Sequence, residues 1–199
     1  MRRVPQAGFS LIELMVGITI MALLIMIGLP NMAIWLNNTQ IRTTGETMLA
    51  GLTLARTEAV KRNQVVRFQM VDNLTSGCVI STGGKSWVVS LDDPTGACDA
   101  APSDVAPRII QSRSGDEGTP RTTVAGTPAG TVHYNGLGRL TSPGGAANLT
   151  QISISNPAGG SCEHVDGGPM RCLRINISIG GEAKMCDPAV TDATDPRIC

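Results

Sequence analysis

Charge is what this chain lacks most. Its 199 residues carry 16 Lys and Arg against 16 Asp and Glu, a formal net charge of zero. No strong field therefore points to nucleic acid or to an anionic membrane surface. Aromatic residues are scarce, with two Trp, two Phe and one Tyr. His133 and His164 are the only histidines, and neither is accompanied by a nucleophile motif, so no catalytic constellation is expected. Gly144-Gly145 and Gly180-Gly181 lack the phosphate-loop and dinucleotide patterns and read as turns. The length allows one ordinary domain beside a membrane segment and excludes two full domains.

Charge is also absent locally. From Leu14 to Leu36 no residue is charged, and only Thr19 and Asn31 are distinctly polar. As a helix these roughly 23 positions cover about 35 Å, enough to cross a bilayer core. Glu13 stands just inside this region, where a lone carboxylate costs on the order of 3 kcal/mol. Arg2 and Arg3 precede it, as in a secretory signal, and place the N-terminus on the cytoplasmic side. The small-residue site Ala7-Gly8 lies before the apolar run, so cleavage there leaves the run on the mature chain. Pro30 removes one helical hydrogen bond close to Gly28, which predicts a kink or melted turn at residues 26–30. Beyond it, Ile41, Met48, Leu52, Ala55 and Ala59 mark one apolar helix face, and Glu58 and Arg62 form an i, i+4 pair.

No cysteine precedes Cys78, and the six present form an even set in the part expected to be exported, which reads as disulfides in an oxidising compartment. Pairing of neighbours is favoured: Cys78 with Cys98, Cys162 with Cys172, and Cys186 with Cys199, the last tying down a Pro- and Asp-rich tail. A zinc site from Cys162, His164 and Cys172 has the wrong spacing for the common fingers. Most of the Gly and Pro lie beyond Gly77, between short β-like runs. Strands are expected at 64–71, 78–81, 87–91, 108–111, 122–125, 131–134, 151–155, 172–179 and 183–186. Surface loops are expected at 92–107 and 112–121. One long helix followed by eight or nine strands gives α+β: a helix packed on an antiparallel β-sandwich, stabilised by disulfides. Asn73, Asn148 and Asn176 begin Asn-x-Ser/Thr triplets, a pattern common by chance.

Gly8-Phe9-Ser10-Leu11-Ile12-Glu13-Leu14 resembles the prepilin motif of type IV pilins and type II secretion pseudopilins. The resemblance implies cleavage by prepilin peptidase after Gly8 and N-methylation of Phe9. It also implies a salt bridge from Glu13 to the N-terminal amine of a neighbouring subunit, which removes an uncompensated buried charge and favours assembly over remaining in lipid. Pro30 matches the helix-breaking proline common in that superfamily. Residues 54–63 (LARTEAVKRN), 134–139 (YNGLGR) and the Cys186-to-Cys199 end resemble the FimU/FimT minor pilins and their relative GspH. The implied organisation is a leader at 1–8, a transmembrane and fibre-core helix at 9–36, its amphipathic periplasmic half at 37–63, and a β-rich domain at 64–199.

The function so implied is that of a minor pilin, not an enzyme, that primes and joins the type IV pilus at its tip. Its partners would be other minor and major pilins, prepilin peptidase and the inner membrane before assembly, with no cofactor and no metal. A type II secretion pseudopilin is one alternative. DNA capture, known for some FimT-type members, is another. There an Arg-rich hairpin of the form Gly-Arg-x-Arg is expected, and here the corresponding residues are Gly181-Glu182-Ala183-Lys184. Arg139, Arg171, Arg174 and Lys184 are the candidate DNA contacts, weakened by Glu182 because attraction to phosphate scales with basic contacts.

Overall fold

The computed structural model describes residues 9–199, without the side chains of residues 27–30. The leader and Gly8 lie outside the described residues. Two compact units divide the chain, one ending at Leu36 and one from Asn37 to Cys199. Helix α1 runs from Leu11 to Arg62. It is followed by β1 (Val66–Val71), β2 (Ser86–Ser90), β3 (Ile109–Arg113), β4 (Thr123–Thr127), β5 (Thr131–Tyr134), β6 (Gln151–Ser155), a single helical turn α2 (Glu163–Asp166), β7 (Leu173–Ile177) and β8 (Ala183–Cys186). The strands form two four-stranded antiparallel sheets, ordered β3-β2-β1-β5 and β4-β6-β7-β8. The α+β organisation read from the sequence is the one observed.

Within the second unit, α1 buries the expected stripe. Ile41, Leu52, Ala55 and Ala59 have no exposed surface and Met48 has 1 %. Two glycines on this stripe let the helix come close to both sheets. A Cβ on Gly51 would lie 2.7 Å from the Phe68 ring and 3.0 Å from Trp87, on the first sheet. One on Gly45 would lie 2.7 Å from Met185 Sδ and 3.4 Å from Ile154 Cδ1, on the second. Register places Val66, Phe68 and Met70 on the same face as Trp87, Val89, Val132 and Tyr134. Val124, Ile152, Ile154, Leu173, Ile175 and Met185 likewise share a face of the second sheet. These period-2 apolar faces and the helix stripe make one core.

The first sheet also has a second apolar side. Val71, Val88 and Ile109 pack with Cys78 and Cys98 in a smaller buried cluster. This is why β2 is buried at all five positions instead of alternating. The structure joins Cys78 to Cys98, Cys162 to Cys172 and Cys186 to Cys199, with Cα separations of 6.0, 5.5 and 5.1 Å.

Two expectations are corrected. The melted turn expected near Pro30 is absent, because α1 is helical through residues 26–30. Proline removes one i→i−4 bond, and the bonds of the turns on either side carry the helix across it. Residues 78–81 form no strand, only an isolated bridge between Val71 and Ile80. Two backbone donors there are taken locally, the Asp72 carboxylate accepting from Val79 N–H at 2.9 Å and Thr75 C=O from Cys78 N–H, while Ser81 N–H reaches Met70 C=O in β1 at 2.9 Å.

Candidate functional site

The first candidate site is the start of α1. Ser10 precedes the first helical residue, and its Oγ accepts from Glu13 N–H at 3.3 Å while its carbonyl accepts from Leu14 N–H at 3.2 Å. Ser10 is therefore the helix N-cap and satisfies one of the donors that a helix start leaves unpaired. A serine three residues before a glutamate is a sequence signal for this role, which the assignment of Glu13 to assembly had left aside. At the third helical position Glu13 also sits where the helix dipole favours a negative charge.

Downstream, the helix presents apolar side chains on every face. Leu11, Ile12, Leu14, Met21, Leu24 and Met26 are each more than 60 % exposed. Its most apolar stretch is wholly unburied, on a helix long and apolar enough to cross a membrane. The Thr19 hydroxyl donates to its own Val16 carbonyl at 2.9 Å, so it presents no unpaired hydroxyl donor to an apolar environment. An apolar surface of this extent requires lipid or protein around it. Glu13 is the one carboxylate on this surface, beside exposed Phe9.

The second candidate site is the basic set near β7 and β8. Antiparallel register pairs Arg174 with Cys186 and Asn176 with Lys184, so Arg174 and Lys184 share one face of that hairpin. Of the other two members, Arg171 is ion-paired and Arg139 is exposed. Arg171 is held between Glu163 at 3.5 Å and Asp187 at 3.9 Å. Arg139 follows the turn at Asn135–Gly138, where a Cβ on Gly181 would lie 3.3 Å from the Arg139 Cα. Lys184 Nζ donates to the Ile198 carbonyl at 3.4 Å, beneath the tail closed by Cys186–Cys199. Arg174 Nε is buried without a partner. Glu163 and Asp187 offset this patch in a way sequence spacing does not reveal.

Neither histidine is part of a reactive cluster. His133 Nδ1 lies 3.1 Å from Asn148 Oδ1 on the edge strand β5, and burial holds its pKa below the ordinary 6.5. His164 lies exposed in α2. Among the described residues no group of three or more His, Cys, Asp or Glu is placed to hold a metal ion.

Fold and site together define a class: an apolar N-terminal helix carrying one carboxylate, continued into a disulfide-bonded β-sandwich. Residues 44–181 match the family model of the type II transport protein GspH, and residues 3–29 match the prokaryotic N-terminal methylation motif. The chain belongs to the GspH family and carries a prepilin-type N-terminus. Among solved structures it is similar to the type IV minor pilin FimU of Pseudomonas aeruginosa, in two crystal forms. The first is 16 % identical with TM-score 0.46, covering 72 % of this chain and 90 % of that one. The second is 16 % identical with TM-score 0.47, covering 74 % and 88 %. Likenesses at that level add no argument of their own. No curated protein matches the chain.

Proposed function

We propose that the chain is a minor pilin, held in the inner membrane by residues 9–36 with its β-domain in the periplasm, then incorporated at the priming or tip complex of a type IV pilus. The observation that carries this reading is the unburied apolar helix with Glu13 at its start, attached to a GspH-type domain. In lipid, Glu13 is a costly charge. Beside the amine created on a neighbouring subunit by cleavage before Phe9, it is paired. Transfer from membrane to fibre then keeps the apolar surface covered and removes the uncompensated charge. The β-domain selects the neighbours.

Deletion of the gene tests this directly: surface piliation and twitching should fall sharply and recover on complementation. Unchanged piliation would sink the proposal. The family description favours a second reading, a pseudopilin of type II transport, and the same deletion separates the two, since a pseudopilin's loss blocks exoprotein release and leaves pili in place. DNA capture is the less supported reading, because carboxylates already hold Arg171 and Lys184 lies against the tail.

A further inference from the structure

The helix enters the second unit through four consecutive polar residues, Asn37-Asn38-Thr39-Gln40, before the first core residue Ile41. Side-chain amides hold this turn. Asn38 bonds the 161–172 ring twice: its Nδ2 donates to Pro169 C=O at 3.3 Å, and its Oδ1 accepts from Arg171 N–H at 2.8 Å. Asn156 Nδ2 donates to Asn37 Oδ1 at 3.2 Å and to Gln40 Oε1 at 3.3 Å. Asn156 is only 1 % exposed, yet its Oδ1 has no partner.

We propose that residues 37–40 form a polar latch that opens as a unit while the rest of α1 stays packed on the sheets. Three observations carry this. Opening removes no fully buried apolar side chain of α1 from the core, because full burial of apolar residues begins at Ile41 and Ile34 before it is only partly covered. The side-chain bonds that Asn37, Asn38 and Gln40 lose on opening are hydrogen bonds that water replaces, and their net value is small. Opening also hydrates Asn156 Oδ1, so the closed state carries a buried unsatisfied acceptor that the open state does not. The loops that receive the latch hold their own shape independently. The 161–172 ring is closed by Cys162–Cys172 and by the Glu163 N–H to Met170 C=O and Met170 N–H to Ser161 C=O bonds. An open latch frees one additional helical turn next to the apolar segment, the kind of slack needed where a helix passes from one environment to another. The opening itself does not depend on the pilin assignment.

Hydrogen exchange of the full chain in detergent micelles tests it. Amides of residues 37–41 should exchange at least about tenfold faster than those of residues 52–59, by local opening that is insensitive to low denaturant. Asn38→Ala should accelerate residues 37–41 by roughly another tenfold and leave residues 52–59 unchanged. Equal rates in the two segments of the wild type would overturn the proposal, as would an Asn38→Ala variant that accelerates both alike. Asn156→Leu, which leaves Asn37 Oδ1 and Gln40 Oε1 without their donor in the closed state, serves as a second variant and should also accelerate residues 37–41 alone.

Discussion

Gly51 sits where α1 crosses the Phe68–Trp87 pair, whose ring centroids are 5.8 Å apart. In an isolated helix Gly→Ala gains about 1 kcal/mol. Here the new methyl meets two rings embedded in the core, and overpacking of this kind costs about 1–3 kcal/mol. We expect Gly51→Ala to lower the melting temperature, as read by circular dichroism, despite the gain in helix propensity; a rise would show that the rings shift freely. His133 gives a pH signature. Its folded pKa is depressed by burial, so the unfolded chain binds more protons just below the ordinary value of 6.5. Stability from this group is therefore complete above pH 6.5 and declines as the pH falls toward the folded pKa. Thermal melts between pH 7.5 and 5.5 should show this decline in the wild type and less of it in His133→Gln; identical slopes would contradict the assignment.

At the scale of elements, local pattern and distant partners contribute unequally. The short runs at 131–134, 151–155 and 183–186 match β5, β6 and β8 to the residue; β6 alternates between core and surface, whereas β5 is buried at all four positions. The run at 78–81 has similar composition but is reduced to a single bridge at Ile80, since Asp72 and Thr75 capture the donors of Val79 and Cys78. Sheet order and the double burial of β2 were not legible, because both depend on segments far away in sequence. The same holds for Arg171, whose neutralisation comes from residues 163 and 187. The Cys186–Cys199 link was legible from its position, and it holds the tail against β8 through the Asp187 N–H to Arg197 C=O bond of 2.8 Å. Replacing both cysteines with serine should cost about 2–4 kcal/mol in urea unfolding and render the tail sensitive to protease. A resistant tail would mean that the backbone bonds suffice without the disulfide.

For the whole molecule, the division of labour follows from where apolar surface is buried. The unit from Asn37 onward closes its own core between helix and sheets, whereas the helix before it leaves its apolar surface uncovered. A chain so built is complete only in a second environment, first lipid and then, on the reading proposed, the packed helices of a fibre. On that reading Glu13 gives the transfer a direction. The most direct measurement is mass spectrometry of mechanically sheared pili from cells expressing this chain at its native level. The account predicts a peptide from the chain in the sheared fraction, beginning at N-methylated Phe9 and absent when Glu13 is replaced by alanine. Finding the chain only in membranes, with Met1 to Gly8 still attached, would contradict it.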